Sequence, residues 1–206
     1  MKKRLILLFC ALLSALVVCA DEDTPNARQA RRIMNTAYER VFGEQGSTLK
    51  YDVNIIGIYK TSGTIWMKGK KQRFTDERVD TWNDGVTAYM AYRKKKTVEI
   101  HAANSDKKDK YSGKFKFSLD DFTYSIASDP EGLMITMKRK KKAKGTIKEV
   151  KALVAQHTYA PIRLRIKVAF FWTTVNISNF KSGGINDEMF VFPAKRYADW
   201  KHVDKR

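Results

Sequence analysis

The sequence predicts an α+β protein, a curved antiparallel sheet of about nine to eleven strands wrapped over one N-terminal amphipathic helix. Three observations predict it. Only the stretch Thr24 to Gly43 (TPNARQARRIMNTAYERVFG) carries sustained helical spacing with marked ends. After Gly43 the apolar residues recur at the strand period of two. Turn signals then punctuate the chain at short intervals. A helix with one apolar stripe must bury it, and so must a sheet with one apolar face.

In the helix, Ala30, Ile33, Met34, Ala37, Tyr38, Val41 and Phe42 fall on one face, and Arg28, Arg31, Arg32, Asn35, Glu39 and Arg40 on the other. Thr24 suits the N-cap and Pro25 the first position, and Gly43 is expected to end the helix in a left-handed turn. The rod is roughly 27 Å long. Leu49, Tyr51, Val53 and Ile55 alternate with Lys50, Asp52 and Asn54 as a half-buried strand. Gly57 suggests a bend. Thr64 to Lys68 and Gln72 to Thr75 are the next strands, separated by Gly69-Lys70-Lys71. The Asp84-Gly85 pair after Trp82 is the clearest turn signal. Val86 to Tyr92 and Thr97 to Ile100 form a hairpin.

His101 to Gly113 is polar and lysine-rich and reads as a loop; Phe115 and Phe117 resume alternation. Phe122 to Ala127 and Leu133 to Lys138 flank Asp129-Pro130-Glu131-Gly132, a hairpin turn. Ile147 to Val154, Pro161 to Ala169, Phe171 to Phe180 and Met189 to Phe192 complete the strands. The tail from Pro193 reads as irregular and surface-bound. No fixed-period repeat or linker divides the chain, so one domain is expected over 21–206.

The first twenty residues read as a targeting segment. Met1-Lys2-Lys3-Arg4 is basic, and Leu5 to Val18 is an apolar run of about 14 residues. As a helix that run spans roughly 21 Å, short of a bilayer core of about 30 Å. Val18-Cys19-Ala20 fits a small-x-small cleavage site with Asp21 as the new first residue. Both cysteines, Cys10 and Cys19, lie in this segment, so a cut there leaves neither disulfide nor thiol. Leu16-Val17-Val18-Cys19 also loosely resembles a lipoprotein site that would leave Cys19 acylated, although Val18 is bulky for one. Export to the periplasm is expected in the first case, and lipid anchoring through Cys19 is the alternative.

No catalytic residue and no cofactor or metal site is read from the sequence. His101, His157 and His202 share no ligand spacing and read as surface histidines. No Gly-x-Ser-x-Gly elbow or phosphate-cradling loop is present. Asp76-Glu77 and Asp120-Asp121 are adjacent pairs, whose carboxylates point to opposite faces on a strand. The formal charge is +18, three units of it from the targeting segment. Lys138 to Lys144 reads as a solvated hairpin tip or a patch for an acidic partner such as anionic lipid. Export argues against nucleic acid. Trp66, Phe74, Trp82, Tyr89, Phe170, Phe171 and Trp172 are spread over many strands, and fill the core or line an apolar slot suited to alkyl chains.

The order of motifs resembles the LolA family of periplasmic outer-membrane lipoprotein carriers, in its Bacteroidetes-type form. The resemblance rests on the helix Ala27 to Phe42, Gly63 to Lys68 (GTIWMK), Phe74, Asn83-Asp84-Gly85, Tyr89 to Tyr92, Val98-Glu99-Ile100 and Met189 to Pro193 (MFVFP). It implies an unclosed β-barrel and a monomeric chaperone that covers the acyl chains of lipoproteins. Such a protein receives its cargo from an inner-membrane transporter and passes it to an outer-membrane acceptor. The cavity residues expected on this basis are Ile33, Met34, Tyr51, Val53, Ile55, Trp66, Phe74, Trp82, Tyr89, Met90, Ile135, Ile166, Phe170 and Trp172. Lys70, Lys71, Arg139, Lys140, Lys141 and Lys142 are expected to touch partners or, transiently, a membrane surface.

The sequence departs from the family at three places. Gly69-Lys70-Lys71 stands where the family has a functional Arg, commonly followed by Pro. The region of the lid helices, about His101 to Leu119, is polar. Asp76 and Arg78 replace apolar cavity residues. The alternatives are a tethered acceptor like the LolB family, an envelope-stress sensor of related fold, and a small enzyme.

Overall fold

A computed structural model of the protein describes residues 24–55, 59–105 and 118–206, with the side chains of residues 54, 55 and 59 left out of that description. The expected targeting segment, Gly57, Phe115, Phe117 and most of the polar stretch after His101 lie outside the described residues.

The helix α1 is Pro25–Phe42. The Thr24 hydroxyl accepts from the Ala27 N–H at 3.1 Å, as its capping position requires. Its far end differs from expectation. Gly43 is extended (φ −68, ψ 175), with its N–H on the Glu39 carbonyl at 2.8 Å. The left-handed residue comes later, at Gly46 (φ 72).

The strands are β1 (Ser47–Ile55), β2 (Tyr59–Lys68), β3 (Lys71–Asp76), β4 (Val79–Asn83), β5 (Thr87–Tyr92), β6 (Thr97–Ala102), β7 (Phe122–Asp129), β8 (Gly132–Arg139), β9 (Ile147–Val154), β10 (Pro161–Val168), β11 (Phe171–Ser182) and β12 (Lys201–Asp204). They form one open, curved sheet of twelve in the order β12-β6-β5-β4-β3-β2-β1-β11-β10-β9-β8-β7. Two antiparallel meanders meet where β1 pairs with β11. Among the described residues, only β12, lying along β6, pairs in parallel.

Two expectations near the C-terminus are corrected, and one strand is added. Val79–Asn83 is a strand of its own, ending at the Asp84-Gly85 turn, where Gly85 takes φ 97. Met189 to Phe192 is not a strand, because Asn186 caps a 3-10 turn over Asp187–Phe190. The tail is not irregular cover either; it packs on the sheet and supplies β12.

Register sorts the side chains into two faces. On the inner face, α1 lays Ala30, Ile33, Met34 and Ala37 on Tyr124, Ile135, Met137, Val150, Ala152 and Val154, all buried. On the outer face, β7 to β11 present Thr123, Lys138, Lys151, Arg165 and Lys167, while β3 to β6 present Arg73, Trp82, Tyr89 and Ile100. The C-terminal segment covers this second outer region with Phe190, Phe192, Tyr197 and Trp200.

Candidate functional site: the inner face between the helix and the central strands

The central strands place a second apolar group on the inner face. Leu49, Tyr51 and Met67 are buried, and Val53, Ile65, Phe74, Val175 and Ile177 are half-buried around them, with Val41 from α1. Tyr51 stacks on Phe74 with centroids 5.6 Å apart. That stack needs a glycine opposite. Tyr51 pairs with Gly63, and a Cβ there would stand 2.2 Å from the Thr75 carbonyl and 2.7 Å from the Tyr51 hydroxyl. Burial pushes the Tyr51 phenol well above its ordinary pKa.

This group is covered less completely than the one under α1. Tyr38 and Phe42, the flank of the predicted helix stripe, meet at a tilt with centroids 4.6 Å apart and remain 42% and 40% exposed. Beyond Phe74 polar groups enter the inner face, beside Val79, Ala88 and Met90. There the inner face carries Asp76, Glu99 and His101. The Asp76 carboxylate accepts the N–H groups of Arg78 and Val79 at 2.7 and 2.8 Å, so it caps the β3–β4 turn rather than opening a cavity. His101 is buried, against expectation, with Nε2 3.1 Å from Glu99, which also pairs with Lys205 at 2.6 Å.

The fourteen expected cavity residues therefore do not form one lining. Ile33, Met34, Ile135 and Ile166 meet under α1. Tyr51, Val53 and Phe74 meet in the central group. Met90 shares the inner face but pairs with Glu99. The Ile55 side chain lies outside the described residues. Trp66, Trp82, Tyr89 and Trp172 project from the outer face, because their register partners Arg73 and Lys167 do. Phe170 sits at a hairpin tip, 80% exposed.

The outer aromatic layer is built around an arginine. The Arg73 guanidinium lies 4.9 Å from the Trp66 ring and 5.4 Å from Trp82, and donates to Met189 Sδ at 2.7 Å. Tyr89 stacks on Phe192 at 4.4 Å, and Trp82 meets Tyr197 edge-on at 5.6 Å. Beneath Tyr197, Asp80 pairs with Arg93 at 2.7 Å. Burial works against this carboxylate, but Arg93 and the Thr75 hydroxyl outweigh it and hold its pKa below the usual range.

The expected contact cations also divide. Lys70 and Lys71 are at one end of the strands, Arg139 to Lys142 at the other. Lys71, with Lys68, holds Asp187 at 3.0 and 2.9 Å and so pins the C-terminal segment. Arg139 turns inward to the carbonyls of Ile147 and Lys144, over the Phe122 ring at 5.2 Å. Lys141 and Lys142 are exposed; Lys140 lines a cleft of 610 Å³ with Arg28, Arg32 and Phe122 at the edge beside α1. A second cleft of 430 Å³ is polar, lined by Asp52, Thr64 and Glu77 among others. Neither cleft is the inner apolar group. Among the described residues no three His, Cys, Asp or Glu side chains cluster as metal ligands.

No family model matches the sequence, and no curated protein matches it. Solved structures do. An uncharacterized conserved protein from Thermus thermophilus superposes with a TM-score of 0.59 at 9% identity, over 86% of this chain and 99% of that one. The lipoprotein LppX from Mycobacterium tuberculosis gives 0.45 at 10%, over 77% and 98%. A LolA superfamily protein from Nitrosomonas europaea gives 0.38 at 9%, over 79% and 97%. At these identities the Thermus likeness shows the fold alone, and the two weaker superpositions carry no weight.

Proposed function

We propose that the protein binds acyl chains on its inner face, between α1 and the strands β1 to β3, as a carrier of acylated lipoproteins in the cell envelope. The observation that carries this reading is the incompletely covered apolar group of Val53, Ile65, Phe74 and Val175 next to the exposed Tyr38–Phe42 pair. Burying a CH₂ group is worth about 0.8 kcal/mol, so a long acyl chain gains enough from such a face to leave water. The curved sheet and α1 can part without breaking strand pairing, which suits a ligand that must enter and leave. The order of sequence motifs supports the same reading. In it, the protein is exported, stays monomeric, and takes its cargo from an inner-membrane transporter to an outer-membrane acceptor.

The test is titration with a fluorescent triacylated lipopeptide. Wild type is expected to bind it, and Phe74→Glu to lose binding while melting as a folded protein. Binding undiminished in Phe74→Glu contradicts the site. The mass of the periplasmic chain decides the tethered form: a chain starting at Asp21 is the soluble carrier, and a lipid mass on Cys19 is the acceptor.

A further inference from the structure

Among the described residues, the β10–β11 hairpin tip has no packing partner in the core that explains its residues. The two-residue tip is Ala169-Phe170, and Ala169 is left-handed at φ 52, where Gly, Asn or Asp is usual. Phe170 and Phe171 are 80% and 55% exposed, with rings 5.1 Å apart. Neither ring belongs to one of the three buried clusters. A local rule is broken here without a packing gain, which points to a contact outside the chain.

The surroundings say which contact. Behind the tip, Trp172 is half-buried on the outer face beneath Arg165, Lys167 and Lys151, at 4.9, 5.7 and 5.7 Å from its ring. The neighbouring β8–β9 loop ends at the same rim, since Ile147 pairs with Val168, and carries exposed Lys141, Lys142 and Lys144. Between Gly132 and Ser182 the sequence has one acid, Glu149, which lies 3.9 Å from Lys151. Apolar rings outermost, then an indole, then cations is the order in which a bilayer presents hydrocarbon, interface and anionic headgroups.

We propose that this rim is a membrane-docking edge that inserts Phe170 and Phe171 into an anionic lipid surface. It extends the carrier reading by naming where the protein meets a membrane, and it rests on that reading for its purpose. Its test does not involve cargo, so the two fail separately.

The experiment is flotation of the chain from Asp21 onward with vesicles of phosphatidylcholine containing about a quarter phosphatidylglycerol, against phosphatidylcholine alone. Wild type is expected to float with the anionic vesicles, less so as salt rises. Phe170→Ser with Phe171→Ser should lower partitioning roughly tenfold, from the lost burial of two rings, with melting unchanged. Lys141→Gln with Lys142→Gln should lower it several-fold. Absence of wild-type binding to the anionic vesicles overturns the proposal and leaves the tip to a protein surface. Binding that follows the lysines and ignores the serines also overturns it, as adhesion by charge alone.

Discussion

One sheet, covered twice, shows two ways of sealing an apolar face. Under α1 the cover is a regular rod, and the contacts are mostly aliphatic: Ile33, Met34, Ile135, Met137 and Val150. Over β3 to β6 the cover is a chain of 3-10 turns, and the contacts are aromatic and ionic: Trp82, Phe192 and Tyr197, with Arg73, Asp80 and Asp187 holding the parts in place. The regular cover satisfies its own backbone hydrogen bonds and carries one ion pair at its rim, Arg31 with Asp120 at 2.6 Å. The irregular cover relies on side chains to fix it, so it should be the more sensitive to single polar changes and to acid. Between the two lies the central group with Phe74, which neither cover completes.

The largest test of this contrast is Trp82→Ala. The side chain is 2% exposed, and its loss should cost about 3–5 kcal/mol by urea denaturation. Lipopeptide binding should survive in the folded fraction, since Trp82 faces outward. Gly63→Val comes next. It would drive a branched side chain against the Thr75 carbonyl and Tyr51, costing about 1–3 kcal/mol and disturbing the inner face. Asp80→Asn should cost about 2 kcal/mol, less than a fully buried pair because Arg93 is 42% exposed. Acid should act on the same cover. Arg93 lowers the pKa of Asp80, and Lys68 and Lys71 lower that of Asp187. Each contribution is therefore present above the unfolded carboxylate value of about 3.9 and is lost as pH falls through the folded one. Hydrogen exchange should show the amides of 187–204 losing protection below about pH 4 before those of α1 do. Equal loss in both would erase the distinction. The smallest effect belongs to Trp172→Ala, which removes cation contacts on the outer face worth about 1 kcal/mol or less.

Much of this architecture is legible without coordinates. The 3.6-residue spacing of Ala30, Ile33, Met34 and Ala37, and the Thr24-Pro25 start, place α1 at its observed bounds. Period-two alternation finds most of the strands. It does not tell which phase faces inward, because that depends on pairing: Trp66 and Trp82 share a face with Arg73 only through the β2–β3–β4 register. The expected cavity residues divide between two faces for that reason. The tail was illegible for another. Phe190, Phe192, Tyr197 and Trp200 follow neither period, and gain their order from the surface they cover. Asp80 is a polar residue whose burial comes from that long-range packing, under Tyr197; His101 is buried on the opposite, inner face beside Glu99. Phe170 and Phe171 look like core residues in any hydrophobicity pattern; only the hairpin geometry puts them outside.

The most direct measurement is photo-crosslinking to a labelled triacylated lipopeptide, with p-benzoylphenylalanine in place of Phe74 in one chain and of Tyr89 in another. These two sites stand on opposite faces of the sheet, on strands separated by β4. The account predicts an adduct at position 74 and none at 89. An adduct at 89 without one at 74 would move the acyl chains to the outer face and contradict it.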